Sequence, residues 1–132
     1  MTQQEILEYN KRCAEFLGWY YENNKWLKLE SLKSGVIAVL KCNSDFDLKF
    51  HSDWNWIMEV VAKIQLLDIV HDYSRGYDNV YKEWTCSFTP AYKTHDFGYI
   101  LGISKNSEME AVVQVINQFL IWHGTCKKSS HA

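Results

Sequence analysis

One proline and six glycines in 132 residues exclude Pro-rich, collagen-like and low-complexity architectures. No excess of basic residues exists either: a net charge of −2 and a pI near 6.2 argue against a broad electrostatic grip on nucleic acid. No stretch approaches the ~18–20 apolar residues of a membrane span. The start Met1, Thr2, Gln3, Gln4, Glu5 lacks the basic-then-apolar pattern of a secretion signal. Cys13, Cys42, Cys86 and Cys126 are far apart and form no C-x-x-C pair, so neither a zinc ribbon nor a thioredoxin-type site is indicated. Their even number permits two disulfides without implying them, and a cytoplasmic protein with reduced thiols is expected. Gly98 and Gly102 flank Tyr99, Ile100 and Leu101, which is neither the dinucleotide nor the Walker spacing.

What the chain does have is an ordinary globular balance, 47% apolar and 23% charged, with an aromatic share of 15% that includes six Trp and eight Tyr. This length fits one domain, expected over 1–126 with a mobile polar tail over 127–132. The aromatic excess serves a core, but Trp and Tyr also dominate contact hot spots. Charge is mildly asymmetric. Lys25, Lys28, Lys33, Lys41 and Lys49 outnumber Glu30, Asp45 and Asp47, whereas acids outnumber Lys63 and Arg75 over residues 50–78.

The first helix is expected over about 2–17. Thr2-x-x-Glu5 forms a capping box, in which hydroxyl and carboxylate each satisfy a free backbone N–H. Ile6, Tyr9, Cys13, Phe16 and Leu17 share its inner face, and Gly18 is placed to end it. Two strands flanking Asn23 and Asn24 form a hairpin, because asparagine tolerates the positive φ of a tight turn. Val36 to Leu40 is a candidate third strand. A second helix starts near Ser52 and Asp53 and turns Trp54, Ile57, Val61 and Ile64 inward, widened by Met58, Val60 and Leu67. It fades between Leu67 and Tyr73, with a turn at Gly76 and Asn79. Strands follow over 80–88 and 99–104, separated by Pro90 and a polar loop holding Thr94, His95 and Asp96. A last helix opens with Ser107-x-x-Glu110, buries Val112, Val115, Ile116, Phe119 and Leu120, and ends at Gly124. The fold class is α+β: a single layered domain with one antiparallel sheet of about four to five strands packed with three helices.

No catalytic group, metal site or cofactor is expected. His71-Asp72, His95-Asp96 and the His51/Asp53 pair join imidazole to carboxylate, but neighbours in sequence point apart and need a third partner. His123-x-x-Cys126 lacks two further zinc ligands. Cys86 reads as a small buried hydrophobe without an activating base. The hairpin is the better candidate, because Trp19, Tyr20, Tyr21 and Trp26 crowd it and alternate strand side chains face opposite ways. With Lys25 and Lys28 interleaved, such a face can stack bases or anchor a protein. The candidate contact residues are therefore Tyr20, Lys25, Trp26, Lys28 and Trp56, the last lying about 200° from Trp54 on an ideal helix. Asp68, Asp72 and Asp78 supply acids for a basic groove.

Taken with Phe16 to Tyr21 and with Met109 to Trp122, the segment Phe50 to Ile64 resembles a family of small proteins encoded by phages and prophages of flavobacteria-type hosts, similar to the phage ABA-sandwich domain. The resemblance covers about half of the chain and carries structural signatures rather than a site. It implies a counter-defence protein of the infected host's cytoplasm that acts by binding and not as an enzyme. The leading expectation is an anti-CRISPR inhibitor whose partner is a type VI-B RNA-targeting CRISPR effector or its guide RNA. The alternative is a sponge that sequesters a signalling nucleotide of an antiphage system between stacked rings and cations.

Overall fold

The computed structural model describes residues 1–67, 70–90 and 100–130, excluding the side chains of residues 71, 90 and 125–130. The chain divides into two compact units, Met1–Phe50 and His51–Ala132.

The first unit opens with α1 (Gln3–Phe16). Thr2 caps it as expected: its Oγ1 accepts from Glu5 N at 3.1 Å while Glu5 Oε1 accepts from Thr2 N at 3.0 Å. Hydrogen bonding of the Glu5 carboxylate to the Thr2 backbone, and next to the Thr2 side chain, holds its pKa below the ordinary value. At the other end Gly18 takes φ +86, a left-handed conformation that Cβ disfavours. Its N–H donates to Glu15 O and that of Trp19 to Ala14 O, both at 2.9 Å, so the last carbonyls of α1 are satisfied by a Schellman turn. Tyr9, Asn10, Cys13 and Ala14 form its buried stripe.

Three antiparallel strands follow, β1 (Tyr20–Glu22), β2 (Lys25–Leu32) and β3 (Gly35–Cys42), in the order β1-β2-β3. Asn23 and Asn24 adopt φ 52 and 63, the geometry a two-residue hairpin requires. After β3 a short 3-10 turn (Asp45–Asp47) leads to Leu48 and Phe50, both buried. Tyr9 Oη donates to Phe50 O at 2.9 Å and Asn10 Nδ2 to Leu48 O at 3.2 Å, fastening this return segment to α1.

The second unit contains α2 (Trp54–Gln65), β4 (Val70–Asp78), β5 (Glu83–Pro90), β6 (Ile100–Ser104) and α3 (Glu108–Ser130). The strands form a second antiparallel sheet, β4-β5-β6. Asp53 rather than Ser52 caps α2, accepting from Asn55 N at 2.9 Å. Its buried side chains are Ile57, Val60, Val61 and Ile64, while Trp54 and Trp56 are both half-buried. Ser107 Oγ accepts from Glu110 N at 3.0 Å at the start of α3. Ala111, Val112, Val115, Ile116 and Phe119 on this helix are fully buried, the four larger side chains contributing ~1.5–3 kcal/mol each by leaving water.

α3 packs against β6 at very short range. A Cβ on Gly102 would overlap the carbonyl oxygen of Ala111 and come within 2.8 Å of Val115 Cγ2. The closeness also lets the helix cap the sheet edge. Gln114 Oε1 accepts from Ile103 N at 2.9 Å, and Gln118 Nε2 donates to Leu101 O at 3.1 Å.

The α+β class and three helices agree with the sequence reading, but the single sheet of four to five strands does not. Every ladder joins strands adjacent in sequence, so each unit closes its own three-stranded sheet. β4 occupies the region read as a fading helix and a turn, and the chain passes through Gly76 as strand. Nor does Gly124 end the last helix, which continues to Ser130. The expected Thr94, His95 and Asp96 loop lies outside the described residues. No helix among the described residues is long and apolar enough to cross a membrane.

Candidate functional site

The β2–β3 hairpin departs most from the usual burial of apolar side chains. Register places Leu27 opposite Leu40, Leu29 opposite Ala38 and Ser31 opposite Val36. Directly paired residues share a face, so Leu27, Leu29, Val36, Ala38 and Leu40 line one side of this ribbon. Leu29 is 59% exposed, Val36 63% and Leu40 49%. The opposite face mixes Lys28, Glu30 and Lys41 with Leu32, Ile37 and Val39, and Lys41 Nζ pairs with Glu30 Oε1 at 3.7 Å. Contiguous exposed apolar surface on a folded chain marks a contact site far more often than scattered single residues do.

The residues singled out in the sequence divide between the two units. Trp26 is 2% exposed and its indole Nε1 donates to Asp45 Oδ1 at 2.8 Å, so it belongs to the core and not to an exposed anchor. Asp45 is also held by Lys11 Nζ at 3.4 Å. Tyr20 is half-buried, Lys25 exposed and Lys28 half-buried. The exposed hairpin ring is Tyr21 instead, tilted against Trp26 with centroids 5.4 Å apart. In the second unit Trp56 is half-buried and Asp72 exposed, while Asp78 is half-buried. The Asp78 carboxylate accepts from Val80 N at 2.8 Å and Tyr81 N at 3.1 Å, which makes it the organiser of the β4–β5 turn. Asp68 lies outside the described residues. The sequence reading missed Leu29, whose alternation with Lys28 and Glu30 resembles a half-buried strand, and Val36 and Leu40, because an unbroken apolar run resembles a buried strand whether or not anything covers it.

Elsewhere the polar groups serve packing. Arg75 lies over the Trp54 ring at 5.1 Å and pairs with Glu108 Oε1 at 3.1 Å, tying β4 to the starts of α2 and α3. Cys13, Cys42 and Cys86 are free thiols and buried. Burial raises all three thiol pKa values, that of Cys86 to about 11, which is the reverse of what nucleophilic activation requires. Tyr9 and Tyr73, beside Cys13 and Cys86, are likewise shifted up by burial. Burial pulls His51 down. No group of three or more His, Cys, Asp or Glu side chains suited to a metal occurs among the described residues.

Comparison with known families, curated proteins and solved structures finds no match to this chain.

Proposed function

We propose that this protein works by occupying a surface of a larger partner, with the exposed ribbon of β2 and β3 as the contact. The observation that carries the reading is the apolar face of Leu27, Leu29, Val36, Ala38 and Leu40, with Lys25 at one end of β2 and Lys33 at the turn. An uncovered apolar patch bordered by cations fits a partner with an apolar pocket rimmed by acids or phosphates. The choice of a type VI-B RNA-guided effector as that partner rests on the phage-family resemblance alone. Binding would block the effector or its guide-RNA channel without any reaction.

The test is co-elution of the tagged chain with a guide-loaded type VI-B effector, coupled to an assay of target-RNA cleavage. The expected result is a stable complex and suppressed cleavage. L29D and V36D should each weaken both by more than ~10-fold, as desolvated anchors at a contact centre do, while circular dichroism stays unchanged. An effector that neither binds the chain nor loses activity removes the effector reading. Tryptophan fluorescence quenched by a cyclic or ADP-ribose-type nucleotide, with that nucleotide recovered intact, would place the protein among nucleotide sponges instead.

A further inference from the structure

The outer edge of β3 is unlike the other sheet edges. β4 carries Asp72, Arg75 and Asp78 and has an irregular register between Val70 and Asp72. β1 is only three residues long. The edge at β6 is covered by the amide side chains of Gln114 and Gln118. β3 runs eight residues, contains no proline and carries one charge, Lys41, which Glu30 already pairs. Folded proteins usually guard a long edge with lysine, proline or a covering element, because its unpaired N–H and C=O groups template another strand. Leu32 and Gly35 close a two-residue turn. The alternation of an antiparallel ladder therefore turns the backbone groups of Val36, Ala38 and Leu40 outward.

We propose that β3 pairs antiparallel with β3 of a second copy of this chain, joining two three-stranded sheets into one of six across a two-fold axis at Ala38. This inference is independent of the partner-binding reading above. Three features favour a second copy as the occupant. About an axis at Ala38, Val36 meets Leu40 of the other copy and Ile37 meets Val39, so apolar side chains face apolar side chains throughout. Lys41 falls opposite Gly35, and the two lysines sit at opposite ends, avoiding like charges across the ladder. The exposed turn at Lys33 is carried to the end of the other β3, after which the exposed Asp47 follows; symmetry makes this favourable approach twice. Moving the axis one residue toward the turn would set Lys33 against Lys41, so charge selects against that register. Pairing would also join the apolar faces of the two ribbons into one continuous surface.

Sedimentation or light scattering across a concentration series reads the assembly directly. The expected result is a species of twice the 15.6 kDa chain mass, and A38K should halve it by setting two lysines together on the axis. A38P provides a second test, because the outward N–H of residue 38 is spare and its loss leaves the β2–β3 ladder intact. In a C126S background, A38C should cross-link to itself on mild oxidation, since residues paired through hydrogen bonds sit ~5.5 Å apart between Cα atoms, within disulfide range. A wild-type chain that stays monomeric at every concentration overturns the proposal. So do A38K and A38P variants that remain folded dimers, which would place any dimer contact on another surface, and A38C that resists cross-linking in a dimeric protein.

Discussion

Replacing Gly102 with alanine adds one methyl group where the fold has no room for it. The new Cβ would overlap Ala111 O, a backbone atom of α3, and crowd Val115 Cγ2 at 2.8 Å. A side chain can rotate away from such an overlap, but a helix carbonyl moves only if the helix moves. α3 would have to lift from β6, loosening Val112, Val115 and Phe119, which are fully buried. Overpacking costs ~1–3 kcal/mol, and a backbone obstacle puts G102A at about the upper end. For a chain of this size ~1 kcal/mol corresponds to roughly 3–5 °C, so a fall of about 10 °C is expected. Gly76 supplies the control, because a Cβ there meets nothing within 4 Å and its φ is not in the left-handed region. G76A should be neutral or stabilising by up to ~0.5–1 kcal/mol through the lost freedom of the unfolded chain. Thermal denaturation of the two variants beside the wild type decides the matter. If G102A melts with the wild type, the tight seat of α3 on β6 is refuted.

W26F removes the indole donor to Asp45 and leaves a partly buried carboxylate without it, so the urea midpoint should fall by the equivalent of ~1.5–3 kcal/mol at unchanged slope; an unchanged midpoint would show the bond to be dispensable. In a C126S background the three described thiols should resist a thiol reagent in native buffer and react promptly in denaturant, and rapid native labelling would contradict their burial. Burial raises the Cys86 pKa to about 11 from an ordinary 9.0, so its protonated form belongs to the folded state. The associated stability is complete below 9.0 and drains as pH climbs toward about 11; a C86A variant should show a shallower alkaline decline. His51 runs the other way. Burial lowers its pKa from 6.5, so its contribution is complete above that value and is lost as pH falls; H51Q should flatten the dependence of the urea midpoint on pH between about 7.5 and 5.5.

The legible parts of this fold are those fixed by near neighbours. Thr2 with Glu5, Asn23 with Asn24, and Gly18 after an amphipathic run each encode a turn or cap within a few residues, and each forms as expected. β4 was illegible because the exposed Arg75 stands between Tyr73 and Tyr77 in the strand alternation, its cation over Trp54 and paired with Glu108. A charge between two rings breaks the apolar alternation that marks a strand. Gly124 misled for a related reason: one glycine costs a helix only ~1 kcal/mol, which a strong helix on either side can absorb. The candidate site was least legible of all. Burial of Trp26 depends on Asp45, nineteen residues away, and the exposure of Val36 and Leu40 depends on what covers them. Neither is a property of a local window.

The Ile103 amide is held by the side chain of Gln114 and not by a strand. Its solvent exchange therefore reports a different event from that of its neighbours in the ladder. Amides bonded between β5 and β6 exchange when the sheet opens, whereas this one is released as soon as α3 lifts far enough to withdraw one carboxamide. A single proton, followed by exchange against time, can thus time the departure of the helix separately from the unzipping of the sheet, and Q114L would leave that proton unprotected while the ladder amides remain slow.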